Sequence, residues 1–120
     1  MTYIGVDLDG TLSDHDFVWP EIGKPVPAIV DLVRGLLAEG KEVRIVTARA
    51  QTNAETLLQP TRPPEMDWDQ INRIWRWCEV HVGQRLSVQF WKDYGMDDLL
   101  DDRARQVERD TGRVAEDINA

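Results

Sequence analysis

The run Tyr3-Ile4-Gly5-Val6-Asp7-Leu8-Asp9-Gly10-Thr11-Leu12 constrains this chain more than any other stretch. It begins apolar and ends on two carboxylates, a glycine and a hydroxyl. A short apolar run bounded by a turn signal suits a strand covered on both faces. Asp7 and Asp9 are two apart, so a regular strand would put them on one face. Carboxylates that close repel unless one holds a proton or a cation lies between them. A hard divalent cation such as Mg²⁺, which takes oxygen ligands and often binds through one or two carboxylates, relieves the repulsion. Gly10 allows a tight departure that a side chain would obstruct. An Asp-x-Asp-Gly turn is also an ordinary polar strand exit with Asx-type hydrogen bonds, so the rest of the chain has to decide.

Residues 13–25 carry prolines, a glycine and an acidic cluster, and read as a loop lying over the end of the first strand. Phe17 and Trp19 are expected to anchor that loop by burial, and His15 to be a solvated loop residue. Pro27 opens a helix, where its missing N–H costs nothing. Ile29, Val30, Val33, Leu36 and Leu37 recur at helical spacing, and Gly40 closes the helix. Glu42–Thr47 is β-branched and predicts a second strand. Strand, helix, strand in that order implies a right-handed crossover and a parallel sheet, whose ligands sit beyond the carboxyl ends of the strands. Asp7, Asp9 and Thr47 all lie at such an end.

Beyond Arg49 a short helix is expected around Asn53–Leu58, followed by a stiff connector at 59–64. Asp67 and Gln70 form a capping box for the next helix. Ile71, Ile74, Trp75, Cys78 and Val82 mark its apolar face, with Trp68 on the same side. Leu86, Val88 and Phe90 alternate as a third strand, Trp91–Gly95 is a turn, and Met96–Ala104 holds a short strand centred on Leu99-Leu100. Its far end again carries paired carboxylates, Asp101 and Asp102. Gly112 turns a small terminal hairpin.

The 120 residues suit a single domain spanning 1–120. No apolar run approaches a membrane span, which predicts no membrane partner. Cys78 is the only cysteine, so an internal disulfide is excluded and a cytoplasmic location fits. A net charge of −8 disfavours non-specific attraction to nucleic acid. It does not exclude an anionic substrate, because a bound metal inverts the local field.

Taken in order, Asp7-Leu8-Asp9-Gly10-Thr11, Ile45-Val46-Thr47, Lys92 and Leu99-Leu100-Asp101-Asp102 resemble the motifs of the haloacid dehalogenase (HAD)-like superfamily. They spread from residue 4 to about residue 104. The resemblance implies an α/β fold, a Rossmann-like three-layer α/β/α core with a central parallel sheet. The Asp-x-Asp-Gly-Thr form implies a Mg²⁺-dependent phosphatase rather than a dehalogenase. On that resemblance Asp7 is the nucleophile that becomes an aspartyl-phosphate. Asp9 is the acid and base for the leaving oxygen and for water, with a raised pKa expected in an occupied site. Thr47 and Lys92 bind the phosphoryl oxygens, with Gly10 and Arg49 as further substrate contacts; for Arg49 a surface ion pair is the alternative. Mg²⁺ is held by the Asp7 carboxylate, the Asp9 carbonyl and Asp101, while Asp102 orients Asp101 or Lys92.

Two features depart from the family pattern. Asp93 follows Lys92 where close relatives commonly have proline, leaving Lys24 and Lys41 as alternatives. Asp97-Asp98 is a competing acidic pair. The motif spacing leaves room for a flap and helices but for no cap domain. Caps exclude water and select small substrates. A capless site is covered by a large substrate or by a second subunit of a homo-oligomer. The expected partner is therefore a phosphorylated small molecule or a phosphorylated macromolecular end. The chain is similar to small bacterial and phage-type members, and more distantly to the phosphatase half of polynucleotide kinases. A polynucleotide-end phosphatase and a non-catalytic HAD-like binding or regulatory protein are the alternative functions. A signalling receiver, with its acids in the opposite order, fits less well.

Overall fold

The apolar run at the N-terminus forms an interior strand of a parallel sheet. The computed structural model describes residues 2–51 and 65–115. Strands β1 (Tyr3–Val6), β2 (Val43–Val46), β3 (Ser87–Gln89) and β4 (Met96–Leu100) align in the order β3-β2-β1-β4. Every neighbouring pair is parallel. Helices α1 (Pro27–Ala38) and α2 (Trp68–His81) complete an α/β fold. The helix expected around 53–58 and the connector at 59–64 lie outside the described residues. No described helix is long and apolar enough to cross a membrane.

Both helices contribute to one core. Val30 and Val33 from α1 join Ile74, Trp77 and Cys78 from α2 around Val6, Val43 and Ile45 of the sheet. Val43 and Ile45 point the same way because side chains alternate along a strand. Leu8 and Leu12, just past β1, are fully buried in the same cluster and tie the Asp-rich turn to the core. Along α2 and at its C-terminal end Ile71, Ile74, Cys78 and Val82 are buried as expected, and only the tryptophans differ. Trp77 is buried, its indole N–H donating to the Gly23 carbonyl at 3.0 Å, while Trp75 is half-buried and Trp68 is 59% exposed. The reason is positional: Trp77 lies three residues beyond buried Ile74 and reaches Gly23, whereas Trp68 occupies the first turn with its ring against Trp75. Asp67 caps α2 by accepting from the Gln70 N–H at 3.1 Å. The Gln70 side chain is directed elsewhere, so only half of the expected capping box forms.

The opposite sheet face, bearing Tyr3 and Arg44, is crossed by residues 90–95, which connect β3 to β4 from one edge of the sheet to the other. Six residues are too few for a crossover helix. The connection is held by polar bonds instead. The Tyr3 hydroxyl donates to Asp93 at 3.0 Å and accepts from Gln89 Nε2 at 2.7 Å. The Tyr3 N–H donates to the Gly95 carbonyl at 2.8 Å. The expected turn at Trp91–Gly95 is thus a strap across the sheet. Beyond β4, Val107 and Val114 form an antiparallel bridge at the place of the expected terminal hairpin.

The loop after β1 closes on itself. Ser13 bridges to Pro25, and the Asp14 N–H donates to the Lys24 carbonyl at 2.7 Å. At this neck Gly23 packs so tightly that a Cβ would collide with the Asp14 main chain. Gly23→Ala should therefore lower stability by about 1–3 kcal/mol, read as a drop in the urea midpoint with an unchanged slope.

Candidate functional site

Register alone brings the first two acids together. β1 and β4 are parallel with Val6 opposite Leu100, so the next residues, Asp7 and Asp101, emerge side by side. The Asp7 N–H extends the ladder to the Leu100 carbonyl at 2.8 Å. Asp102 is drawn in by the turn after β1. Its N–H donates to Thr11 Oγ1 at 3.0 Å, and the Thr11 hydroxyl donates to its Oδ1 at 3.2 Å. Gly10, at φ +92°, lets the Asp102 carboxylate lie directly against the main chain, since a Cβ there would sit 2.6 Å from Oδ2. One carboxylate oxygen each from Asp7, Asp101 and Asp102 lies within 4.8 Å of the others.

Three acids this close cannot all ionise without compensation. Burial, a hydrogen bond with Asp102 and the Asp101 charge push the Asp7 carboxyl up to about 7. Asp102 moves the other way, held below the usual carboxylate range first by its bond with Asp7 and then by Thr11. Of the two, Asp7 is the acid that keeps its proton to higher pH and Asp102 the one that stays charged. An all-oxygen donor set of this kind fits a hard divalent cation, which would take the place of that proton.

Asp9 turns away from this cluster. Its carboxylate is gripped at both oxygens by Arg49, with Nη2–Oδ1 at 2.8 Å and Nε–Oδ2 at 3.0 Å. Arg49 is not a surface ion pair: its side chain is 1% exposed, and it is the only buried basic residue among the described ones. The 3-10 turn Ala48–Ala50 carries it, capped by Thr47, whose hydroxyl accepts the Arg49 N–H at 3.2 Å. Thr47 itself is buried at the carboxyl end of β2, beside the end of β1. Phe17 is half-buried and Trp19 is 59% exposed, so burial does not anchor the flap as expected. Both rings stack on the Arg49 guanidinium instead, at 4.8 and 4.7 Å.

Lys92 lies on the strap, exposed, and its ammonium makes no ion pair among the described residues. It shares with Asp101 the wall of an open cleft of about 800 Å³ along β4. Lys24 is exposed at the flap neck, and Lys41 precedes β2 at the other end of the sheet. Asp97 and Asp98 are exposed on β4, with Asp98 accepting the Leu99 N–H. His15 is exposed. Cys78 is fully buried and burial pushes its thiol up to about 12, so it is inert packing. Sequence reasoning assigned no role to Thr11, although it directly follows the Asp-x-Asp-Gly turn. It also set Asp102 behind Asp101 or Lys92, whereas its carboxylate bonds Asp7 and Thr11. The chain matches no protein-family model, no curated protein and no solved structure.

The raised Asp7 carboxyl makes cation binding and pH one measurement. The Asp7 carboxyl is raised from 3.8 to about 7, so its contribution to stability is complete below the lower value and is lost as pH rises through the upper. Asp102, shifted down, contributes above its ordinary range and loses that contribution only in acid. Melting of the metal-free protein should therefore decline between about pH 4 and pH 7, and the stabilisation by millimolar Mg²⁺ should grow over the same interval. Asp7→Asn should flatten both trends. A Mg²⁺ shift that is equal at both ends would show that the acids do not bind the ion together.

Proposed function

We propose that this protein is a Mg²⁺-dependent phosphomonoester hydrolase, a capless HAD-like enzyme with a Rossmann-like core, working through an aspartyl-phosphate on Asp7. The observation that carries the reading is the convergence of Asp7, Asp101 and Asp102 at the carboxyl rim of a parallel sheet, where such folds bind ligands. Asp9, Arg49 and Thr47 border the same rim and add support.

In the first half-reaction an Asp7 oxygen forms a bond to phosphorus while the bond to the leaving oxygen breaks, and Asp9 gives that oxygen a proton. In the second, water attacks the phosphorus of the aspartyl-phosphate. Asp9 takes the water proton, and the Asp7 carboxylate departs with the electron pair of its bond to phosphorus. A Mg²⁺ ion held by Asp7, Asp101 and Asp102 would supply positive charge against the equatorial oxygens. Thr11 and Gly10 keep Asp102 in place, so it would present a fixed carboxylate to the ion beside Asp7 and Asp101. Thr47 caps the turn that carries Arg49, which fixes that residue against Asp9. Lys92 lies on the strap and lines the same open cleft as Asp101, from which its ammonium would offset phosphate charge.

Hydrolysis of p-nitrophenyl phosphate tests the reading directly. Wild-type protein should turn over only with Mg²⁺. Asp7→Asn should lower kcat by at least about 10³-fold, the scale of losing a covalent nucleophile, with its circular dichroism unchanged. Retained turnover in that variant would exclude the aspartyl-phosphate route.

A further inference from the structure

We propose that Arg49 is a positioning residue for Asp9, and that the tip of the 13–25 flap sets this positioning through Phe17 and Trp19. The inference rests on the phosphatase reading and extends it to how the acid-base group is controlled.

Asp9 sits three residues past the end of β1, where a single isolated bridge to Ser13 ties its main chain and leaves its side chain to be oriented by other contacts. What orients it is the Arg49 fork, which occupies both carboxylate oxygens. Arg49 is in turn held from three directions. Its Nη1 donates to the Pro20 carbonyl of the flap at 2.8 Å and to Gln70 of α2 at 3.4 Å. Its guanidinium lies over the Phe17 and Trp19 rings. Its main chain is fixed by the Thr47 cap. All three guanidinium nitrogens are engaged, so in this conformation Arg49 serves Asp9 and the flap. The flap neck is closed by Ser13–Pro25 and by the Trp77 bond to Gly23, which leaves the Phe17–Pro20 tip as the part that bears on Arg49. The exposed indole of Trp19 acquires a purpose on this account: it covers a charged group that orients the acid.

The chemistry supplies a selective readout. The fork holds Asp9 as the carboxylate that takes the proton of the hydrolytic water on a lone pair the guanidinium leaves free. That proton is the one a phenoxide leaving group needs when the next P–O bond breaks, whereas p-nitrophenoxide departs without one. A misplaced Asp9 therefore slows phenyl phosphate more than p-nitrophenyl phosphate, while a general loss of folding slows both alike.

The experiment measures kcat for both substrates in the full chain with Mg²⁺. Trp19→Leu should lower the phenyl to p-nitrophenyl ratio by about tenfold, part of the 10²–10⁴ that positioned acid catalysis supplies. Trp19→Phe should restore most of the ratio. Arg49→Lys, which keeps the charge and loses the fork, should lower it at least as far. Trp68→Leu, equally exposed but with its ring against Trp75 and not over Arg49, should leave it unchanged. A ratio in Trp19→Leu within twofold of wild type, or a parallel fall in both rates, overturns the inference and leaves the phosphatase reading standing. A wild-type protein inactive on both substrates ends the phosphatase reading and this inference with it.

Discussion

Mutual repulsion among carboxylates governs the rim of this protein. Asp7, Asp101 and Asp102 are forced together by backbone features that cannot be relaxed cheaply: the Val6–Leu100 register, the Thr11 bonds to Asp102, and the close approach at Gly10. The conflict, together with burial, pushes the Asp7 carboxyl up to about 7 while Asp102 stays below the usual carboxylate range. A site where burial and neighbouring acids together favour a proton on Asp7 is one where a divalent cation relieves the same charge conflict. Leu8 and Leu12 keep the turn from opening, because displacing it would expose two fully buried leucines, each worth roughly 1.5–3 kcal/mol of burial.

The second device sits on the neighbouring strand end. Thr47 caps the turn after β2, the turn presents Arg49, and Arg49 grips Asp9. Acid-base and nucleophile candidates are thereby separated by environment. Asp7 faces other acids and gains a proton, while Asp9 faces a guanidinium. Breaking a buried ion pair by removing one partner leaves an uncompensated charge, so Arg49 and Asp9 stand or fall together structurally as well as chemically.

Much of this was legible before any coordinates. The β-branched and apolar runs, Pro27 at a helix start and the strand–helix–strand order all follow from local physics, and the described elements fall where that physics puts them. The paired acids at residues 7 and 101 were legible as strand-end residues because each follows an apolar strand centre. The indoles were harder to read. Periodicity assigns a tryptophan to a helix face, but three tryptophans on α2 offer competing stripes, and only packing against Gly23 selects Trp77. Phe17 and Trp19 misled for a related reason: hydrophobicity predicts burial in a core, and here a buried guanidinium provides the contact surface instead.

What the sequence determined alone is the set of chemical groups and the strand ends that carry them, since alternation, capping and turn preference act over a few residues. Partner choice was decided by the tertiary structure. The strap over Tyr3 delivers β4 to the free side of β1, so Asp101 arrives beside Asp7 although they are far apart in the chain. Arg49, equally consistent in sequence with a phosphate contact or a surface pair, is committed to Asp9 by burial and by the flap. Neither outcome is encoded within any one segment, because each depends on which strand edge and which loop the rest of the chain brings alongside.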